Sequence, residues 1–135
     1  METNRKKVFI IDDDIDDKDF LTESINANGF VSEIISFSDG RKFIEHLANH
    51  RHTKYDPDIV FLDINMPFMN GVETLKAIRE YGYILNAPIV IFSTNISPYN
   101  QQQLTELGAT ACYVKPYTAH LYAELVREIF NTHLA

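Results

Sequence analysis

Cysteine is almost absent from this chain: Cys112 stands alone among 135 residues, so no intrachain disulfide can staple it. A lone thiol agrees with a reducing compartment. No unbroken apolar run comes near the length a bilayer demands, which excludes a membrane-spanning helix. The opening METNRKKVFI offers only four consecutive apolar residues, with Ile11 completing them, before a run of acids. That is too short for the apolar segment of a signal peptide, so the expected location is the cytoplasm. Cations are also scarce. Twelve Lys and Arg face 19 Asp and Glu, and the net charge of −7 has the wrong sign for counterion-driven binding to a phosphate backbone. Direct nucleic-acid partners are therefore not expected. What is present, 45% hydrophobic and 23% charged residues, describes a globular domain with a core of its own. The length suits one domain over residues 1–135 and leaves no room for a second module.

Along the chain, short apolar runs rich in branched residues alternate with helical patterns, and turn residues punctuate each pair. The first run, residues 7–11 (KVFII), precedes a helical stretch with Phe20, Leu21 and Ile25 on one face, stopped at Asn28-Gly29. A second run over residues 31–37 leads through Ser38-Asp39-Gly40 into a helix carrying Phe43, Ile44 and Leu47. The third, residues 59–62, follows Pro57, and its helix places Val72, Leu75 and Ile78 at spacings of three before Gly82. The fourth, residues 89–92, is followed by Ser97-Pro98, an N-cap with proline at the first helical position. Its helix is mostly polar, with Leu104 and Leu107 facing inward. A last run over residues 111–114 precedes a helix capped by Thr118 that bears Leu121, Tyr122, Leu125, Val126, Ile129 and Phe130. Strands that are apolar throughout are buried on both faces, which means a parallel sheet with helices on each side. The expected fold is α/β: a doubly wound, flavodoxin-like (βα)5 domain with strand order 2-1-3-4-5. The polar stretch 49–58 is its longest connection.

Such sheets bind ligands at the carboxyl ends of their strands, at the switch point between the first and third. The first strand ends in Asp12-Asp13-Asp14 and the third, FLDINMPFMNG, in Asp63. Carboxylates converging on one crevice raise each other's pKa values unless something neutralises them, and no cation lies beside them in sequence. A divalent cation is the simplest remedy. Hard oxygen ligands suit Mg²⁺, whereas soft metals would need cysteine or histidine. Ser93 and Lys115 follow the fourth and fifth strands on the same sheet edge. A carboxylate nucleophile, a magnesium ion, an ammonium and a hydroxyl together can accept a phosphoryl group, with Asp63 becoming an acyl phosphate.

Four motifs at the ends of four strands carry a family resemblance: FIIDDD at 9–14, FLDINMP at 61–67 with Gly71 following, IFST at 91–94 and VKP at 114–116. Together they make the chain resemble, over nearly its whole length, the receiver domains of two-component response regulators, the CheY-like proteins. The resemblance implies Asp63 as phosphoacceptor, Asp13 as a direct magnesium ligand, Asp12 as a ligand through water and the Asn65 backbone carbonyl as a further ligand. It also implies Ser93 as the hydroxyl that closes on the phosphoryl group, Lys115 as its ammonium partner and a cis peptide bond before Pro116. Asn65 and Asn95 occupy positions at which the family tunes the lifetime of the phosphorylated state. Two positions depart from the pattern. Cys112 stands where an aromatic toggle is usual, and Tyr113 beside it faces the other way by strand alternation. Thr94, where alanine or glycine is common, narrows the route to Asp63. The partners implied are a sensor histidine kinase or a histidine phosphotransfer protein as donor, and a downstream protein on the face formed by the last two helices, a second copy of the chain included.

Several residues also have plainer readings. Asp14, Asp16, Asp17 and Asp19 read as acids attracted to the N-terminus of the first helix. His46, His50 and His52 read as solvated residues at a helix end, since no acid completes a zinc-binding HExxH. Cys112 reads as a small buried hydrophobe. Among other functions, a haloacid-dehalogenase-type hydrolase would want a second acid two places after Asp63, where Asn65 stands. A flavin-binding module would have to cradle a phosphate in a loop filled with aspartates. A degenerate receiver serving only as a binding module stays open through Cys112. The leading expectation is a stand-alone receiver that is phosphorylated but is not a turnover enzyme.

Overall fold

A computed structural model describes residues 6–29, 31–50, 56–83 and 86–134. In chain order the elements are β1 (Lys6–Ile11), α1 (Ile15–Asn26), β2 (Val31–Phe37), α2 (Gly40–Asn49), β3 (Ile59–Leu62), α3 (Gly71–Tyr81), β4 (Ile89–Ser93), α4 (Pro98–Glu106), β5 (Ala111–Val114) and α5 (Ala119–His133). All the strands pair in parallel, in the order β2-β1-β3-β4-β5. This is the doubly wound arrangement expected from the sequence.

Right-handed crossovers dictate which helices share a face, because the chain turns one way from β1 to β2 and the other way thereafter. Helices α1 and α5 therefore cover one side and α2, α3 and α4 the other. The strands divide accordingly. Val8, Ile10, Ile59, Phe61, Val90 and Phe92 pack with Leu21, Ile25, Tyr122, Val126, Ile129 and Phe130, whereas Phe9, Ile11, Val60, Leu62, Ile89 and Ile91 pack with Phe43, Leu47, Leu75, Ile78 and Leu104. Each central strand is thus buried on both faces, as its unbroken apolar runs require.

Helix starts follow local chemistry. The side chains of Asp14, Asp39, Ser97 and Thr118 each accept from a backbone amide of the first turn, and Asn70 with Glu73 forms a full capping box at α3. Gly82 adopts the left-handed conformation that ends α3, at φ 72°. At α1 the ending differs from expectation: the helix stops at Asn26 with Ala27 as cap, and Gly29, at φ 78°, turns the chain two residues later. Phe20 also departs from the inward face expected of it. It is 40% exposed and its ring stacks on Tyr122, because a residue next to the buried Leu21 on a helix lies at the border of the apolar stripe. Two of the histidines expected in solvent are packed: His46 is half-buried edge-on to Phe9, and His50 stacks on it, since His46 also lies against Phe37 of β2. His52 lies outside the described residues, as does much of the connection 49–58.

The turn after β3 is closely packed. The Gly71 amide donates to the Ile64 carbonyl at 2.7 Å, and any Cβ on Gly71 would sit 2.7 Å from Ile64 Cα and overlap the Asp63 carbonyl. Within the same turn, Phe68 holds a left-handed φ of 68° with its exposed ring lying 4.0 Å beneath the Arg41 guanidinium. Such a conformation costs an L-residue about 1–2 kcal/mol, which the cation–π contact partly offsets. Replacing Gly71 with alanine is expected to destabilise the protein by about 1–3 kcal/mol, the usual cost of forcing atoms into a filled space. A urea titration reads this directly, and an unchanged midpoint would show that the helix can withdraw from the turn without cost.

Candidate functional site

The site is built at the carboxyl edge of the sheet by backbone ladders that run one residue past each strand. The Asp12 amide donates to the Phe37 carbonyl, the Asp63 amide to Ile11 and the Lys115 amide to Ser93, at 2.9 to 3.0 Å. Each functional residue is thereby fixed by its neighbour strand before its side chain makes any contact. Asp12, Asp63, Ser93 and Lys115 are all buried, at 3%, 7%, 0% and 4% exposure, in a molecule whose other charged side chains are mostly in solvent. Buried groups of this kind need partners.

Lys115 supplies most of them. Its Nζ lies 2.6 Å from Asp12 Oδ2, 2.9 Å from Asp17 Oδ2 and 3.6 Å from Asp63 Oδ2. The other oxygens are held by amides: the Asp14 amide donates to Asp12 Oδ1 at 3.0 Å and the Ile64 amide to Asp63 Oδ1 at 2.8 Å. Burial raises the Asp12 carboxyl to about 6, with the Asp63 charge adding to the rise and Lys115 and the Asp14 amide opposing it. Burial alone would lower the Lys115 ammonium, but Asp12, Asp17 and Asp63 outweigh it and hold its pKa above the ordinary value.

Asp13 is exposed at the mouth of the crevice, yet one of its carboxylate oxygens lies within 4.8 Å of oxygens from Asp12 and Asp63. Three carboxylates that can turn their oxygens toward one point are a hard-oxygen donor set, which fits Mg²⁺ and not a soft metal. The Ser93 hydroxyl is wholly buried and has no hydrogen-bond partner among the described residues. An unsatisfied buried hydroxyl costs about 1–3 kcal/mol, so Oγ has donor capacity left unused within the fold. Thr94 and Asn95 follow it, exposed, and Asn65 is exposed two residues beyond Asp63.

Not every expected feature is found. No cis peptide bond occurs among the described residues, so the bond before Pro116 is trans. The trans form is favoured even before proline, by about 0.5–1 kcal/mol, and with it Lys115 already reaches Asp12. Cys112 is half-buried on the side of α2, α3 and α4, while Tyr113 packs on the α5 side with its hydroxyl 2.9 Å from His133 Nε2. The two side chains thus diverge as strand alternation requires.

One member of the site was not legible as such. Asp17 reads as a first-turn acid, yet it pairs with Lys115 and faces the Tyr122 hydroxyl at 3.5 Å. The residues it meets come from 98 and 105 positions away, so nothing nearby in sequence marks it. Its position one turn into a helix that starts at the site's edge is the only available sign.

The arrangement has counterparts. A protein-glutamate methylesterase/protein-glutamine glutaminase of a Nocardioides species is 31% identical over 78% of this chain, which spans 24% of that protein. Several other curated relatives are likewise matched over less than half of their own length. A probable chemotaxis protein CheY of Rhizobium etli is 27% identical, with 93% of this chain and 92% of that protein covered. Among solved structures, the phosphorylated cyanobacterial phytochrome response regulator RcpA shares the fold at a TM-score of 0.87 and 22% identity, over 97% of this chain and 95% of that one. The family model described as the response regulator receiver domain matches residues 8–127. By that match, which runs from within β1 into α5, this chain belongs to the response regulator receiver domains, with a CheY-like fold and a place in two-component signalling.

Proposed function

We propose that Asp63 accepts a phosphoryl group from the phosphohistidine of a sensor histidine kinase or a phosphotransfer protein, and that the chain acts as a phosphorylated switch, not as a turnover enzyme. The observation that carries this reading is the convergence of Asp12, Asp13 and Asp63 beside a buried ammonium and a buried hydroxyl that lacks a partner. An Asp63 oxygen forms the new P–O bond as the P–N bond to the donor imidazole breaks. Asp12, Asp13, Asp63 and the Asn65 carbonyl would hold Mg²⁺. When bound, the ion supplies positive charge that offsets the clustered carboxylates and the incoming phosphoryl oxygens. Lys115 turns its ammonium, now 3.6 Å from Asp63, onto a phosphoryl oxygen. The Ser93 hydroxyl donates to another and thereby satisfies itself.

The protein partner that reads this change would dock on the surface of α4, β5 and α5. Tyr99, Val114, Tyr117 and Leu121 are exposed there, at 70%, 56%, 99% and 44%. Exposed apolar side chains grouped in this way suit a protein partner, a second copy of the chain included. No helix among the described residues is long and apolar enough to cross a membrane. The acidic net charge favours a partner of protein and not of nucleic acid.

Intact-mass measurement after incubation with acetyl phosphate tests the chemistry. One added phosphoryl group is expected with Mg²⁺, little without it, and none in Asp63→Asn. No adduct, joined by no binding of beryllofluoride, would instead assign the chain to phosphorylation-independent binding. A pH dependence is also expected. Because the Asp12 carboxyl sits at about 6, protons compete for it as pH falls through that value, and a protonated carboxyl does not serve as a metal ligand. The Mg²⁺ concentration giving half-maximal beryllofluoride binding should therefore rise from pH 7.5 to pH 5.5, with Asp12→Asn flattening the dependence.

A further inference from the structure

The ammonium that faces the proposed phosphoacceptor is shared. Lys115 makes its two short contacts to Asp12 and Asp17, at 2.6 and 2.9 Å, and stands off Asp63 at 3.6 Å. Asp12 belongs to the donor set described above, whereas Asp17 does not: it sits on α1, about a quarter exposed at its side chain, outside the group of carboxylates that could hold a cation. The Asp17 backbone amide donates to Asp14 Oδ1, a contact that leaves the Asp17 carboxylate unused. Among the described residues, the Asp17 carboxylate is engaged only by Lys115 Nζ and, more distantly, by the Tyr122 hydroxyl of α5 at 3.5 Å. Tyr122 is buried and its ring is held by Phe20 and Phe92, so the acid has a fixed partner on the side away from the crevice.

We propose that Asp17 is a positioning residue that competes for Lys115: it holds the ammonium back from Asp63 and so restrains the crevice from taking up an anion. This rests on the reading of Asp63 as phosphoacceptor. Two physical effects of the Asp17 carboxylate have the same sign. It occupies a proton of the ammonium that a phosphoryl oxygen would otherwise receive, and its negative charge adds to a crevice that an anion must enter. A neutral side chain at this position removes the charge and weakens the hold while Asp12 continues to anchor Lys115. A role confined to helix α1 predicts the opposite, since acids in a first turn stabilise a helix and their loss only loosens the structure.

Asp16 provides the matched control. It lies in the same first turn, is exposed and carries the same charge, but makes no contact with Lys115 among those seen in the described residues. The experiment measures beryllofluoride binding in saturating Mg²⁺, and phosphorylation by acetyl phosphate, for the wild type, Asp17→Asn, Asp16→Asn and Asp63→Asn. Asp17→Asn is expected to bind beryllofluoride about 3-fold or more tightly than Asp16→Asn, in line with the modest worth of a partly exposed ion pair, and to phosphorylate faster, even as its melting temperature falls slightly. Equal affinities in the two variants, or weaker binding by Asp17→Asn, would overturn the proposal. Tyr122→Phe gives a second reading without removing charge. It should shift affinity in the same direction as Asp17→Asn if the tyrosine steadies Asp17, and its failure alongside Asp17→Asn would confirm that Asp17 has no hold on the ammonium. Absence of any binding by the wild type would instead defeat the phosphoacceptor reading, and this inference with it.

Discussion

A single buried ammonium holds together the four chain segments that make the site. Lys115 comes from the end of β5, Asp12 from the end of β1, Asp17 from the first turn of α1 and Asp63 from the end of β3. Carboxylates gathered at the rim of a sheet repel one another, and their burial adds a desolvation cost that only an opposite charge or a cation offsets. Lys115 meets part of that need from within the fold. With its side chain 3% exposed it is itself costly to bury, so neither side of the pair is tolerable alone. Removing one partner from a buried pair typically costs about 3–5 kcal/mol because the other charge is stranded. The crevice is thus stable as a set and unstable as fragments, yet its charges do not balance, since Asp12, Asp17 and Asp63 all face one ammonium. That excess of negative charge favours the entry of an added cation.

Everything else in the architecture brings these groups to one edge. Parallel pairing makes every strand point its carboxyl end the same way, and the ladder bonds that continue one residue beyond each strand fix Asp12, Asp63 and Lys115 in register. The two apolar layers, with Phe9 and Phe61 buried on opposite faces of the central strands, leave no latitude for a register slip, because a shift of one residue would turn every side chain to the wrong face. The glycine contact between α3 and the Asp63 carbonyl sets the depth of the turn that follows. Rigid strands therefore present the buried charged groups, and the loops beyond them expose Thr94, Asn65 and Phe68.

Much of this was legible in the sequence, for identifiable reasons. Strand order followed from unbroken apolar runs separated by helical patterns, and the helix starts at Asp39, Ser97 and Thr118 followed from capping chemistry that acts over three residues. Asp12, Asp63, Ser93 and Lys115 were legible because strand ends in a doubly wound sheet share one edge, so their sequence position already carries spatial information. Asp17 was not, because a helix residue points in a direction that only the packing of α1 against α5 decides. The trans bond before Pro116 and the packed ring of His46 were equally out of reach: each depends on tertiary surroundings, while the sequence offered only a family habit in one case and a helix end in the other. Phe68 belongs to the same group, since a bulky residue at positive φ contradicts local preference and is held by a contact to Arg41 from another helix.

The departures around β5 bear on how a change in the crevice would travel. Tyr113 cannot serve as an inward-swinging ring in place of the side chain at Cys112, since its hydroxyl is bonded to His133 and its ring lies across the sheet from α4. Swinging would break that bond and pass the ring through a paired strand. Cys112, small and packed against the α2 to α4 face, leaves no bulk to move. A rearrangement that begins at Ser93 thus has two structural exits: the exposed segment of Thr94 and Asn95 leading into α4, and the chain of contacts from Lys115 through Asp17 to Tyr122 on α5. The second ends on α5, the helix on which Leu121 is exposed. A pull on Lys115 would alter the tether between α1 and α5 without requiring any aromatic ring to change sides, so the loss of the toggle does not by itself isolate the crevice from the surface.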